Sequence, residues 1–289
     1  MMSPKTLALG DRMKIYEKEL NINIEPHESF IVRLDGKNFS RFTKGFQKPF
    51  DGMFIRTMCL TMHDLVKKFE AQTGYTHSDE ITLVFDNAIP DGEQINNDIH
   101  KYCHMYNGRT QKILSIMASY CSVKFNHHLN ILLNEYDGEY AYKQNFIDII
   151  KSNEQIFDAR IMKFNGVDNY EILNHQLWRS VHDCERNAIQ SYAHTHFGSS
   201  KIMNKHCGEM KDLLLSEKGI NWDDVPLYLK HGIYCKKILV EKKIGNESII
   251  RSQYMFKMFK ICFSDENLNM LLSKYWDDNC CEVKLDEII

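Results

Sequence analysis

Two aspartates, Asp35 and Asp79, each stand next to a short apolar run and could together hold a divalent cation. Asp35 and Gly36 follow the apolar residues 30–34, and Asp79 shortly precedes the apolar residues 81–85. Because such runs are typical of strands, the two carboxylates can meet at one edge of a sheet. Magnesium prefers hard oxygen ligands of this kind. The pattern predicts the two-metal chemistry of a polymerase-type enzyme, which is nucleotidyl transfer.

The backbone after Asp35 offers further ligands. The carbonyl oxygen of Gly36 is the expected third protein ligand, because a glycine lets the main chain approach an ion closely. The successive amides of Lys37, Asn38 and Phe39 could bind phosphate oxygens as an anion nest. Two more side chains could contact phosphate: Lys48 and Ser78. An ordinary strand-to-turn junction is the alternative for Asp35 and Gly36, since both residue types dominate turns.

Composition limits the class of protein. The 289 residues, 43% of them hydrophobic, are enough for one large domain or two smaller ones. The net charge of −3 means that any surface for nucleic acid must be local. The nine cysteines form no C-x-x-C pair, which suits a reducing compartment and disfavours a zinc ribbon. No apolar run is long enough for a membrane span, and no secretory signal begins the chain. We expect a cytoplasmic protein, with a mitochondrial location left open.

The candidate residues fall on a β-α-β-β unit, so we expect an α+β fold. Residues 30–34 predict the first strand, and an amphipathic helix begins after Asp51 and ends at Gly74. Residues 75–85 predict two short strands that are broken at residues 78–80, and a second helix starts near Arg109. This order is ferredoxin-like, with helices packed on one face of the sheet.

A polar segment, residues 134–138, is the candidate domain boundary. It divides a catalytic domain, residues 1–137, from a helical and β C-terminal region, residues 138–289, which would complete the nucleotide and RNA site. The patterns after the boundary predict these elements: a strand at 156–164, helices at 169–196 and 200–215, a loop at 219–226 and a basic strand at 232–243.

Longer strings surround the two aspartates and recur along the chain. They are RLDGKNFSRF at 33–42, FQKP at 46–49 with Asp51, SDE at 78–80, Arg109 with Lys112, FDAR at 157–160, WR at 178–179, RN at 186–187 and GIN at 219–221. Together they resemble the signature of the tRNA-His guanylyltransferase family, whose members add nucleotides in the reverse, 3′–5′ direction. The resemblance extends from about residue 8 to residue 243, and it is much more specific than a single Asp-Gly pair.

The resemblance implies a polymerase-like palm and a set of site residues. Asp35, Gly36 and Asp79 would be the ligands of two Mg²⁺ ions, and Asp35, Asp79 and Glu80 the catalytic carboxylates. The expected nucleotide and triphosphate contacts are Lys37, Asn38, Phe39, Ser40, Phe46, Gln47, Lys48, Asp51 and Ser78. The expected RNA or phosphate contacts are Arg33, Arg109, Lys112, Arg160, Arg186 and Asn187. Residues 46–51 would read the base of the activating nucleotide.

The same resemblance implies substrates and assembly. The substrates would be ATP, GTP or other nucleoside triphosphates, and tRNA whose 5′ end is truncated or processed. The expected assembly is a homotetramer built as a dimer of dimers.

One segment departs from the strict guanylyltransferases. They carry HINNLYNT after the Trp-Arg pair, whereas residues 183–190 here read DCERNAIQ. Ser40 also stands where many eukaryotic members have histidine. Both differences favour the branch of guanylyltransferase-like proteins, which use Watson–Crick templating to rebuild tRNA 5′ ends. The competing functions are strict addition of G at position −1, a catalytically silent RNA-binding palm protein and, more weakly, a nucleotide cyclase.

Several charged groups have ordinary structural explanations. Arg109 and Lys112 could lie on a solvated helix face, and the lysines of residues 230–243 could guard an edge strand instead of contacting RNA. Three arginines flank apolar positions and would need an anion if buried: Arg160, Arg179 and Arg186. That anion could be phosphate or a nearby carboxylate: Asp158, Asp183 or Glu185. His100 and His104 lack a second pair of ligands at zinc spacing.

Overall fold

Six strands form one antiparallel sheet in the computed structural model, which describes residues 8–19, 22–89, 101–164, 169–244 and 247–276. The strands are β1 (Ser29–Gly36), β2 (Thr73–His77), β3 (Glu80–Phe85), β4 (Phe157–Phe164), β5 (Ile233–Ile244) and β6 (Glu247–Lys257). Their order in the sheet is β4-β1-β3-β2-β5-β6, and every neighbouring pair is antiparallel. The mixed α+β class predicted from the sequence is confirmed.

Helices connect and cover these strands. They are α1 (Leu9–Glu19), α2 (Phe39–Phe42), α3 (Gly52–Phe69), α4 (Thr110–Asn134), α5 (Gln144–Lys151), α6 (Tyr170–Leu177), a π-helical turn (Trp178–Asp183), α7 (Cys184–His196), α8 (Ser199–Ile202), α9 (Cys207–Lys218), α10 (Leu227–His231) and α11 (Asp265–Leu272). Helix α3 begins where the Asp51 carboxylate accepts a hydrogen bond from the backbone amide of Phe54. None of the described helices combines the length and apolar character needed to cross a membrane.

Helices α3 and α4 pack on one face of the sheet and form the main core. The three- and four-residue spacing of apolar positions in α3 gives it one continuous buried side, with Met58 and Met62 at its centre. Phe125 of α4 packs against Phe39 and Phe157, with ring centroids 5.2 Å apart in both cases. This cluster fixes the end of β1 and the start of β4 beside each other.

The opposite face of the sheet is also covered by helices, which the sequence patterns did not predict. Ile31 of β1 and Val84 of β3 point to this second face, where they pack with Leu173 of α6 and Leu271 of α11. Strands that are apolar on both faces need a layer on each side. A third cluster, formed mainly by α7, α9 and α10, adjoins the main core, since Ile55 and Tyr228 pack against both.

The β-α-β-β order is confirmed for β1, α3, β2 and β3, but the end of the helix is not where the glycine suggested. Helix α3 ends at Phe69, and Glu70 adopts the left-handed conformation with φ 56°. Gly74 lies inside β2 instead. A Cβ atom there would be 2.5 Å from Val66 Cγ2, so the glycine serves close packing of strand on helix.

Elements after the candidate boundary agree in most places. The strand at 156–164 and the helical stretch at 169–196 are confirmed, the latter with a π-helical turn in its middle. The helix at 200–215 is wrong, because α8 ends at Ile202 and α9 starts only at Cys207. Strand β4 pairs along all of β1, so segments on both sides of residue 137 share one sheet. The division into two domains stays a prediction.

Candidate active site

The end of β1 meets the tight turn between β2 and β3. Asp35 lies opposite Glu80 in the register of the two strands. The backbone N–H of Gly36 donates to the carbonyl oxygen of Asp79 over 3.1 Å. Ser78 adopts φ 50°, and its hydroxyl donates to Asp79 Oδ1 over 3.0 Å. The structure therefore brings the three predicted metal ligands, Asp35, Gly36 and Asp79, to one corner of the sheet.

The electrostatics of this corner fit a divalent cation. Burial raises the pKa of the Asp79 carboxyl, and the negative charge of Asp35 raises it further. Two acidic groups that repel each other in this way are stabilised by a cation placed between them. Oxygen ligands from two carboxylates and a backbone carbonyl match the preference of Mg²⁺. Asp35, Asp79 and the carbonyl of Gly36 are therefore the groups that would hold it.

Gly36 has a packing role as well. A Cβ atom at this position would lie 2.4 Å from Cγ of Phe39, so no side chain fits. Phe39 itself is 2% exposed, which places its ring in the core and leaves only its main chain for a ligand.

The predicted anion nest is only partly free. The amide of Lys37 donates to the carbonyl of Ile156 over 2.9 Å and is therefore not available for phosphate. Among the described residues, no backbone carbonyl accepts from the amides of Asn38 or Phe39. Asn38 is left-handed with φ 60°, and its side chain and that of Ser40 are exposed. Of the three amides predicted to bind phosphate, the nest therefore retains those of Asn38 and Phe39.

A cavity of about 150 Å³ lies next to Ser78 and gathers most of the predicted nucleotide contacts. Its lining includes Phe46, Gln47, Lys48, Asp51, Ser78 and Asn187. The volume is below the roughly 300–1,000 Å³ of pockets that enclose a whole ligand. The cavity can therefore enclose one part of a ligand, and the rest would lie over its rim at Ser78.

The loop of residues 46–51 is shaped by the carboxylate of Asp51. Oδ1 accepts from the amide of Phe54 over 3.1 Å, and Oδ2 accepts from the amide of Gln47 over 2.8 Å. The ammonium of Lys48 donates to the carbonyl of Thr43 over 2.9 Å. Burial lowers the pKa of Lys48, whereas the charge of Asp51 raises it. A positive group is thus held at the rim of the cavity.

The sequence did not predict the face of α7 that completes the cavity. Cys184, Asn187, Ala188 and Ser191 line it, and only Asn187 was a candidate. The four residues stand at positions i, i+3, i+4 and i+7, which share one face of a helix, and this spacing is the signal that could have grouped them. They belong to the segment in which the sequence departs from the strict guanylyltransferases, or directly follow it.

Arg179 occupies the centre of a buried charge network beside this corner. It is 4% exposed, its Nη2 pairs with Glu80, and its Nη1 lies 2.8 Å from Asp183. Neighbouring His77 and Arg179 lower the pKa of Asp183 to about 2. The possible ligand atoms of His77, Glu80 and Asp183 lie within 4.8 Å of one another. Because the guanidinium of Arg179 already pairs with both carboxylates and Arg186 also pairs with Asp183, this cluster is a poor metal site, and Glu80 is held by an ion pair.

Carboxylates contact all three arginines that flank apolar positions in the sequence: Arg160, Arg179 and Arg186. Arg160 lies 4.0 Å from Asp35 and 3.6 Å from Asp158, and Arg186 pairs with Asp183. Two of the three are not buried, since the Arg160 and Arg186 side chains are 59% and 56% exposed. Each of these two could still turn toward an incoming phosphate.

Arg33 points to the second face of the sheet. It is half-buried, and its Nε has no hydrogen-bond partner among the described residues. Burial and the charge of Arg33 lower the pKa of the neighbouring His175 to about 4.

Arg109 and Lys112 do not join the other candidates within one chain. Arg109 bridges to Asn23, which precedes β1, whereas Asp35 lies near the end of that strand. An eight-residue strand spans roughly 20–25 Å at about 3.3 Å per residue. Both side chains are exposed, and Lys112 lies over the Tyr106 ring at 5.3 Å from its centroid.

The histidine near residue 100 and the lysines of β5 contact protein groups. His104 Nε2 lies 2.9 Å from the carbonyl oxygen of Glu28, and His100 lies outside the described residues. Lys236 is fully buried and donates to the carbonyl of Ser273, and Lys237 pairs with Glu70. These two lysines are therefore not part of a surface for RNA.

Comparison with known proteins agrees with this arrangement. The family model described as tRNAHis guanylyltransferase matches residues 10–165, which is more than half of the chain. Uncharacterized protein R259 of Acanthamoeba polyphaga mimivirus is 42% identical, over 96% of this chain and 94% of its own length. The tRNA(His) guanylyltransferase of Debaryomyces hansenii is 22% identical, over 88% of this chain and 91% of its own.

Solved structures are similar as well. A bacterial tRNA(His) guanylyltransferase (Thg1)-like protein in complex with ATP has a TM-score of 0.65 and 28% identity, covering 87% of this chain and 92% of its own. A bacterial Thg1-like protein in complex with GTP has a TM-score of 0.62 and 26% identity, covering 86% and 90%. The match of the family model to residues 10–165 and the structural likeness over 87% of the chain lead to one conclusion: the chain belongs to the tRNA-His guanylyltransferase family of nucleotidyltransferases.

Proposed function

We propose that this protein is a template-dependent 3′–5′ polymerase that adds nucleotides to the 5′ ends of tRNAs. The observation that carries the proposal is the meeting of Asp35 and Asp79 beside the cavity lined by residues 46–51. A pair of carboxylates next to a pocket with a lysine at its rim suits a metal-bound nucleoside triphosphate. Similar bacterial proteins have been solved with ATP and with GTP. The sheet would then act as a polymerase palm.

The reaction would use two nucleotidyl transfers. In the first, an oxygen of the RNA 5′-monophosphate attacks the α-phosphate of ATP, and pyrophosphate leaves. In the second, the 3′-hydroxyl of an incoming nucleotide, paired with the opposite strand, attacks the activated 5′ end, and AMP leaves. An RNA with a 5′-triphosphate could omit the first transfer.

Residues of this chain would bind and orient the reacting groups. Two Mg²⁺ ions, held by Asp35, Asp79 and the Gly36 carbonyl, would supply charge stabilisation at phosphorus and at the attacking oxygen. Lys48 and Ser78 would face the triphosphate, while residues 46–51 would enclose the base. Arg33, Arg160 and Arg186 would contact phosphates of the RNA. Arg109 and Lys112, at the other end of β1, would contact RNA farther away or from another subunit of a homotetramer.

The position of the divergent segment favours templated repair. Residues 183–190, which depart from the strict guanylyltransferases, run from the π-helical turn into the face of α7 that lines the cavity. A change at the cavity wall can change which nucleotide is selected. The second candidate, addition of G at position −1 of tRNA-His, is favoured by the names of the curated relatives at 22% and 24% identity.

One experiment separates these functions. The full chain is incubated with ATP, Mg²⁺, all four nucleoside triphosphates and a labelled 5′-truncated tRNA that is not tRNA-His. Addition of each nucleotide that pairs with the opposite strand supports templated repair. Addition of G to tRNA-His alone supports the strict enzyme. No addition to either RNA, together with RNA binding, would overturn the enzymatic proposal in favour of a silent RNA-binding protein.

A further inference from the structure

Tyr142 lies outside the cavity and contacts the carboxylate that shapes it. The tyrosine stands between α4 and α5, and its hydroxyl donates to Asp51 Oδ2 over 2.8 Å. Asp51 lines the cavity and is 4% exposed. The two residues are 91 positions apart, so this bond is not part of the local cap of α3. It ties the cavity loop to a distant segment.

The remaining bonds of Asp51 are local. Its carboxylate accepts from the amides of Gln47 and Phe54, both within four positions. Residues 46–50 have no regular secondary structure, so the bonds to the Asp51 carboxylate contribute to their shape. The hydroxyl of Tyr142 and the amide of Gln47 share Oδ2, which fixes the plane of the carboxylate from outside the loop.

Apolar packing supports the same loop independently of the hydroxyl. The Tyr142 ring lies edge-on to Phe46, with centroids 6.2 Å apart. A Cβ atom at Gly45 would lie 2.1 Å from Cδ2 of Phe146, so the loop backbone rests directly on α5. A phenylalanine at position 142 would keep the ring contacts and remove only the hydrogen bond.

We propose that Tyr142 is a positioning residue for nucleotide binding, and that it acts through Asp51 by holding residues 46–51 in the form that accepts the nucleotide. The inference rests on the proposed function, in which this cavity takes a nucleoside triphosphate. Tyr142 does not line the cavity, and no hydrogen bond joins it to Asp35 or Asp79 among the described residues. Its loss therefore weakens binding and leaves the chemical step of the bound nucleotide unchanged.

The test compares Tyr142→Phe with the wild type in the full chain. Isothermal titration with ATP and Mg²⁺ gives Kd, and nucleotide addition gives KM for ATP and kcat. We expect Kd and KM to rise about tenfold, the effect of one hydrogen bond to a charged group, with kcat at saturating ATP within about twofold. Tyr140→Phe is the matched control, because its hydroxyl has no hydrogen-bond partner in the described structure, and it should bind ATP like the wild type.

A double variant tests the route through Asp51. In the background of Asp51→Ala, which removes the acceptor of the Tyr142 hydroxyl, the Tyr142→Phe change should weaken ATP binding no further, whereas additive losses would overturn the route. Wild-type Kd in Tyr142→Phe, with or without a lower Tm, would overturn the positioning role, as would a loss of kcat at unchanged KM. A wild type that binds no ATP would instead overturn the proposed function itself, and this inference with it.

Discussion

Asp35 on β1 and Glu80 on β3 face each other in antiparallel register, and this single pairing places Asp79 against Gly36. The turn that precedes β3 then carries Ser78 and Asp79 to the end of β1. One carboxylate on β1 and one in the turn after β2, which helix α3 separates in the chain, become neighbours in space. Activity should therefore depend on this corner, and stability on the charged groups that surround it.

Asp79→Asn should abolish activity without loss of stability. Because burial and the charge of Asp35 raise the pKa of Asp79, the negative charge of this carboxylate is less stable in the folded protein than in the unfolded chain. A neutral asparagine removes that unfavourable charge, so the free energy of unfolding should stay equal or increase. Nucleotide addition should fall about a hundred- to a thousandfold, as expected on loss of a group that stabilises developing charge.

Urea unfolding and a labelled-tRNA assay measure the two effects. Asp148→Asn, which removes an exposed carboxylate on α5, is the control and should retain both activity and stability. If purified Asp79→Asn retains nucleotide addition, the corner formed by Asp35 and Asp79 is not the active site.

Arg179→Met should destabilise the protein strongly. The substitution leaves Glu80 and Asp183 without their shared partner in a buried position. Removing one partner of a buried ion pair costs about 3–5 kcal/mol. Arg186→Met removes another partner of Asp183 at a 56% exposed position, where pairs contribute less than about 1 kcal/mol. Equal losses in urea unfolding for the two variants would contradict the central role of Arg179.

Lys48→Met should weaken ATP binding about tenfold, because it removes a charged donor at the rim of the cavity. Lys44→Met is the matched control, since Lys44 is exposed in the 3₁₀ turn that precedes this loop and does not line the cavity. Titration of both variants with ATP and Mg²⁺ checks the expectation. If the two variants bind ATP equally well, Lys48 does not contact the triphosphate.

Stability should decrease as the pH falls from about 6.5 to about 4, in part because of His175. Its ring is 8% exposed, and neither ring nitrogen has a hydrogen-bond partner among the described residues. Its pKa is lowered from 6.5 to about 4. Between these pH values the unfolded chain therefore binds a proton at His175, whereas the folded protein does not. The free energy of unfolding is therefore not reduced by His175 above pH 6.5. It decreases as the pH falls toward 4, by about 3 kcal/mol for a pKa shift of this size.

His175→Leu should remove this part of the pH dependence without loss of stability at pH 7. His194→Gln, at an exposed position of α7, should keep the wild-type dependence. Urea unfolding of the three proteins at several pH values between 4 and 7 is the measurement. A pH dependence that stays unchanged in His175→Leu would show that other groups cause it.

The sequence was sufficient for the elements whose pattern is local. The strands around residues 30–34 and 75–85 were predicted from apolar runs and an intervening polar turn, and α3 from its three- and four-residue spacing. The β-α-β-β unit then predicted that Asp35 and Asp79 meet at one edge of the sheet. The grouping of residues 46–51 with Ser78 as nucleotide contacts rested on a family resemblance, and these segments line one cavity. Asn187 lines it too, although it was expected to contact RNA or phosphate.

Contacts between distant segments could not be predicted in this way. Nothing near Tyr142 indicates that its hydroxyl binds Asp51, and nothing near Arg179 selects Glu80 as its partner. The helical layer on the second face could not be predicted either. Strands β1 and β3 are apolar on both sides, so their sequences do not show which side faces α6. At Gly74 a local signal gave a wrong prediction. Glycine is typical of helix ends, but Gly74 lies in β2 and allows close packing of that strand on α3.

The strand order also has a consequence for biosynthesis. β1 lies between β3 and β4, but β4 is synthesised long after the first three strands and two long helices have left the ribosome. Until residues 157–164 emerge, one side of β1 presents unpaired amides and carbonyls, which are a template for wrong pairing with another nascent chain. The strand that carries Asp35 is therefore the place where premature release or truncation before β4 would lead to aggregation.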